Sequence, residues 1–296
     1  MDKNIESINS RRCLIALIVS ILIVSISFVG VTKKLLMPLT EGSAIAGKDV
    51  FRYFTVISTI LINACAVLCI PFEIQGIIKH NYHLPRWIVD FLYISTTCTT
   101  MTFMVSSVVI APNAGIKATF FEGSLLYMHF LCPILALLLF LAVNLDHNIK
   151  KSRMALSIVP MSIYIIVYYY EVFILTESNG GWVDHYFIGG NISIGLLFII
   201  VVITNLIVSY ILLKVHNNSH SKYKKAFINY YMNSPEYEFS DVSEAIIYLA
   251  KEDKKYYKEG DITIPIRIIK ILKNRYSSNF NDNELYTIYI NSFNSK

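Results

Sequence analysis

Six apolar runs, each near the roughly twenty residues that a helix needs to cross a hydrocarbon core, leave this 296-residue chain few ways to fold. In lipid every backbone N–H and C=O must be satisfied internally, so only helices and closed barrels span. Barrel strands alternate in polarity and are about half as long as these runs. The pattern therefore dictates an all-α polytopic membrane protein. Composition agrees: 16% of residues are charged and the mean hydropathy is +0.51, whereas a soluble domain carries about a quarter charged residues.

The spans are predicted at Cys13–Val31, Arg52–Phe72, Trp87–Ala111, Gly123–Asn144, Arg153–Leu175 and Asn191–Leu213, giving a transmembrane domain over residues 1–213. The first run follows Arg11 and Arg12 but exceeds a signal-peptide core and precedes no small-residue cleavage pattern, so it reads as a retained helix. All five cysteines, Cys13, Cys65, Cys69, Cys98 and Cys132, fall inside these runs. That placement suits small apolar packing residues; it suits neither a disulfide framework nor a metal site.

Loop charge sets the expected orientation. With the N-terminus inside, the inner segments carry Lys3, Arg11, Arg12, Lys79, Arg86, Lys150, Lys151 and Arg153. The outer ones carry fewer: Lys33, Lys34, Lys48, Arg52 and Lys117. Positive residues favour the cytoplasmic side, which places both termini in the cytoplasm of a cell-membrane protein. The net charge of +5 divides into +2 over residues 1–213 and +3 over 214–296. That suits an anionic inner leaflet and gives no nucleic-acid footprint. The abundance of Ile, Lys, Asn and Tyr points to a low-GC bacterial genome.

Residues 214–296 change character, holding 23 of the chain's 47 Asp, Glu, Lys and Arg. Asp241-Val-Ser-Glu244 has the form of a helix capping box before Ala245, Ile246, Leu249 and Ala250. A second helix is expected from Pro265 through TIPIRIIKILKNRY, and ELYTIYI fits either a helix or a strand. This tail reads as a small, mostly helical cytoplasmic domain. It carries no phosphate loop, metal-ligand cluster or catalytic motif; a regulatory or partner-docking role is expected, beside the plainer one of a folded cap that covers the inner end of the bundle.

Polar side chains in a membrane bundle face its interior, and ionisable ones are candidate functional groups. Thr55, Asn63, His129, Glu171, Asn205 and the hydroxyl-rich STTCTTMT stretch qualify. Thr55 falls roughly 5 Å inside the outer boundary and His129 roughly 9 Å, at 1.5 Å per helical residue. Glu171 lies near the outer end of the fifth span, so three groups from three helices share one shallow layer. Pro133 cannot donate to the carbonyl of His129, four residues back, and predicts a kink beside that histidine. A threonine hydroxyl becomes a nucleophile when a base takes its proton. If His129 touches Thr55 it supplies that base, with Glu171 as an orienting carboxylate. The plainer roles are a threonine bonded back to its own helix and a histidine that serves packing. Arg52, Asp184 and His185 lie on the same outer side as supporting candidates. His80 and His83 read as solvated loop residues, and His216 and His220 as the start of the tail.

Three motifs, in this order, resemble the androgen-induced membrane protein family and its bacterial six-helix relatives. They are RYFT at Arg52–Thr55, LLYMHFLCPILALL around His129 and Pro133, and GGWV at Gly180–Val183. The resemblance covers residues 13–213 and leaves the tail outside. It implies a membrane-embedded hydrolase of fatty acid esters of hydroxy fatty acids, with Thr55 as nucleophile and His129 as its base. Membrane lipid is then the surroundings, a lipid ester the substrate, and no cofactor or metal is required. A different class also fits the residues: a non-enzymatic sensor or carrier that binds a small molecule in the polar outer layer and signals through the tail. No internal repeat of the kind found in many carriers is present.

Overall fold

The computed structural model describes residues 3–36, 47–79, 84–184, 194–233, 241–256, 272–273 and 280–295. Of the sequence features above, His80, His83, His185 and all of the Pro265 helix except Leu272 and Lys273 lie outside the described residues. Among the described residues, six helices are long and apolar enough to cross a membrane: Arg11–Leu35, Phe54–Ile78, Arg86–Ile110, Leu126–Val143, Lys151–Ile174 and Phe198–Tyr223. Among the described residues there is no strand. The chain is an all-α, multi-pass membrane protein.

The first span packs along the second, the second along the third, and the fourth against the first and third. The third is the central helix: 67% of its apolar window is buried within the bundle, against 28% for the fifth and sixth. Burial explains its many hydroxyls, since each needs a partner away from water. Thr97 donates to the carbonyl of Tyr93 at 2.8 Å and Thr100 to that of Thr96 at 2.8 Å, so much of this polarity is satisfied by its own helix.

The sixth helix runs from Ile194 to Asn233, well past the predicted end at Leu213. No Gly or Pro follows Leu213 until Pro235, so nothing in the backbone stops a helix that has left the apolar run. The chain divides into two compact units at Asn217–Asn218, a turn beyond the predicted boundary. His216 therefore belongs to the first unit and is not a tail residue. It is fully buried, stacked on Phe140 at 4.2 Å, with its ring nitrogens 2.8 and 2.9 Å from the carbonyls of Phe140 and His147.

Around it the connection between the fourth and fifth spans is tied down. Arg12 donates to the Val143 carbonyl at 2.6 Å and pairs with Asp146 at 2.7 Å. The second carboxylate oxygen of Asp146 accepts the Leu84 amide at 3.1 Å. The Asn217 side-chain amide donates to the Ile149 carbonyl and accepts its N–H.

In the second unit, helices Val242–Tyr256 and Asp282–Asn294 pack through Val242, Ala245, Ile246, Leu285 and Tyr289. The Glu244 amide donates to Asp241 Oδ1 at 2.9 Å, as the capping motif predicts. ELYTIYI lies in the second of these helices. Asn281 and Glu284 form a capping box, and Leu285, Tyr289 and Phe293 bury one helical stripe.

Candidate active site

Thr55 and His129 meet. Thr55 Oγ1 lies 3.2 Å from His129 Nε2, and His129 Nδ1 lies 3.0 Å from the backbone carbonyl of Thr119. A carbonyl only accepts, so in the neutral ring Nδ1 carries the hydrogen and Nε2 presents its lone pair to the threonine hydroxyl. Thr55 then donates to Nε2. His129 is buried, whereas Thr55 is half-buried.

The local sequence explains each part of this contact. Thr55 is the second residue of the helix Phe54–Lys79. A threonine deeper in a helix bonds back to a carbonyl three or four residues earlier; three residues behind Thr55, the Arg52 carbonyl accepts from the Tyr164 hydroxyl instead. The hydroxyl is left for another partner. The Thr55 carbonyl is meanwhile held by Ser58 Oγ at 3.0 Å and Thr59 Oγ1 at 2.7 Å. Ser58 also reaches Thr102 of the central helix at 2.8 Å. Those bonds fix the turn from which Thr55 projects.

His129 sits in a widened turn, Leu126–Leu131, that precedes the α-helical stretch Cys132–Leu138. Pro133 has no N–H for the His129 carbonyl, and the Cys132 amide donates five residues back, to Tyr127. The expected irregularity at Pro133 is this extra residue in the turn. The third component is a backbone atom. Gly115, at φ +88°, turns the chain out of the third span and starts a short helix, Ile116–Phe120. Carbonyls at a helix C-terminus lack helical partners, and that of Thr119 turns to His129. Phe120 covers the imidazole edge-on at 6.4 Å between centroids.

The residues just before Thr55 are individually clamped. Arg52 pairs with Asp49 at 2.9 Å and lies over the Trp182 ring at 5.7 Å. Its carbonyl accepts from the Tyr164 hydroxyl at 2.9 Å. Lys34 lies over the Tyr53 ring at 5.1 Å, and burial pushes the Tyr53 phenol above its ordinary value. Phe54 packs on Tyr164 at 5.1 Å.

GGWV positions the tryptophan of this collar. Gly180 adopts φ +89°. A Cβ on Gly181 would collide with the Glu171 carbonyl and sit 2.8 Å from that of Thr176, so only glycine fits there. The Trp182 amide then donates to the Glu171 carbonyl at 3.0 Å.

The remaining expected site residues are placed elsewhere. The orienting position behind His129 is taken by the Thr119 carbonyl, which corrects the assignment of Glu171; depth along a helix does not specify the direction in which a side chain points. Glu171 takes part through its backbone carbonyl. Asp184 accepts from the Tyr168 hydroxyl at 2.7 Å, on the fifth span. Arg52 belongs to the collar. Sequence reasoning missed Thr119, whose contribution is a main-chain oxygen, and the Tyr164–Tyr168–Trp182 group. The aromatic run at the end of the fifth span, YIIVYYY, was the available signal for the tyrosines.

Comparison of the chain with protein-family models, curated proteins and solved structures gives no match in any of the three.

Proposed function

We propose that this protein is a membrane-embedded hydrolase of lipid esters, with Thr55 as nucleophile and His129 as general base. The observation that carries the proposal is the directed pair: a hydroxyl 3.2 Å from an imidazole nitrogen whose opposite nitrogen is anchored on a carbonyl. An anchored second nitrogen fixes the tautomer that accepts a proton, the role that a carboxylate fills in serine hydrolase triads. The family resemblance of the RYFT, YMHFLCP and GGWV segments supports the same residues and suggests fatty acid esters of hydroxy fatty acids.

His129 takes the Thr55 proton as Oγ1 attacks the ester carbonyl. The imidazolium returns that proton to the departing alkoxide, leaving an acyl-threonine and a free alcohol. Water, deprotonated by the same nitrogen, attacks the acyl group, releases the acid and restores both side chains. The shallow position of the pair suits an ester whose chains stay in lipid. Loop charge favours the outer leaflet for this layer, with both termini cytoplasmic.

Turnover of long-chain esters in lipid nanodiscs tests the proposal. Wild type and Thr55→Ser should hydrolyse them, whereas Thr55→Val, of similar shape but without a hydroxyl, should not. Equal rates for wild type and Thr55→Val would refute it; an inert but well-folded wild type would favour the sensor or carrier reading.

A further inference from the structure

Between the second half of the first span and Gly123–Ser124, just before the fourth, lies a cleft of about 430 Å³, within the size range of small-molecule sites. Phe28, Val29, Thr32 and Lys33 of the first span line one side, and Gly123 and Ser124 the other. Phe28 is 67% exposed and Val29 37% exposed, so the cleft opens on the bundle surface. Among the described residues its lining is mainly apolar and carries one cation, Lys33.

The described partners of Lys33 are neutral. Its ammonium donates to the Tyr127 hydroxyl at 3.3 Å and lies 4.9 Å from that ring's centroid. No carboxylate among the described residues pairs with it. Tyr127 stands two residues before His129 in the same widened turn. Gly30 brings the first span against that turn, since a Cβ there would meet Tyr127 Cβ at 2.9 Å and Met128 Cγ at 3.1 Å. The cleft's cation thus touches the turn of the fourth span that carries the imidazole.

An ammonium at the rim of an apolar cleft complements an amphiphile with one chain and one negative charge. A diacyl phospholipid has two chains to place, and a neutral ester leaves the ammonium without an anion. We propose that this cleft binds a long-chain carboxylate, its chain along Phe28, Val29 and Thr32 and its anionic end on Lys33. The inference deepens the hydrolase reading by naming the free-acid end of the substrate as the part recognised here. A binding assay on non-hydrolysing protein separates it from that reading.

The probe is a diazirine-bearing hexadecanoic acid, compared with its methyl ester. The protein is the full-length Thr55→Ala variant in phosphatidylcholine nanodiscs, and crosslinked peptides are mapped by mass spectrometry. The acid should label residues 28–36 and 123–124 and the ester should not. Competition by unlabelled hexadecanoate should exceed that by hexadecyl phosphate. Lys33→Gln should weaken acid labelling about tenfold, as expected on losing a charge-assisted contact, and Lys33→Arg should preserve it. Val29→Trp, which fills the cleft without touching the charge, should also abolish labelling and guards against a folding defect in Lys33→Gln. Equal labelling by acid and ester, full labelling in Lys33→Gln, or stronger competition by the phosphate would overturn the proposal.

Discussion

The two ends of the bundle use polar groups in opposite ways. At the Asp146 end, Arg12 and Asp146 bind each other and both also bind backbone, Asn217 exchanges two hydrogen bonds with Ile149, and His216 sits between two carbonyls. Those groups close on one another. At the Thr55 end one imidazole nitrogen is anchored and the other faces a half-buried hydroxyl. A closed network resists change, whereas a pair with one anchored end and one reactive end can pass a proton. Buried polarity alone therefore does not single out the proposed site; the direction of its hydrogen bonds does.

The largest expected effect breaks the Thr55 end. His129→Asn keeps a donor toward the Thr119 carbonyl but removes the base. It should lower ester turnover by about 10²–10⁴, the range of general-base catalysis, with little change in thermal midpoint. The opposite pattern belongs to Arg12→Ala. Removing one member of a buried ion pair strands the other and costs about 3–5 kcal/mol, since the two side chains are only 11% and 7% exposed. Thermal unfolding in detergent should show a large drop, while turnover per folded molecule stays near wild type. Similar loss of turnover in both variants would erase the distinction between the ends.

Gly181→Ala sharpens it at intermediate size. The added methyl collides with the Glu171 carbonyl, so the loop must move at about 1–3 kcal/mol. Trp182 then shifts from Arg52, seen as altered tryptophan fluorescence. The smallest effect is expected for Thr59→Val, which removes one of two hydroxyls on the Thr55 carbonyl and costs about 0.5–1.5 kcal/mol. Thermal melts resolve that change, and turnover should fall less than in His129→Asn.

The membrane fold was legible because apolar length is a coarse signal that survives without tertiary information. Span ends were less so: the sixth helix overshoots Leu213 because hydropathy marks where lipid ends, not where a helix does. Thr55 and His129 were legible as groups at one depth. Their contact was not, because depth carries no azimuth, and the same limit led to Glu171. Thr119 was invisible for another reason. Its contribution depends on where Gly115 turns the chain, and a carbonyl has no sequence identity. His216 was hidden because the apolar run ends before it, although the residue lies in the first unit, just beyond Leu213.

The central claim is that Thr55 is activated by His129, and mapping a fluorophosphonate adduct tests it most directly. Wild-type protein, Thr55→Ala and His129→Asn, each first shown to be inserted and folded, would be treated with the probe and digested for mass spectrometry. The account predicts a phosphonyl group on Thr55 in wild type and none in either variant. An adduct on any other hydroxyl, or none on folded wild type, would contradict it.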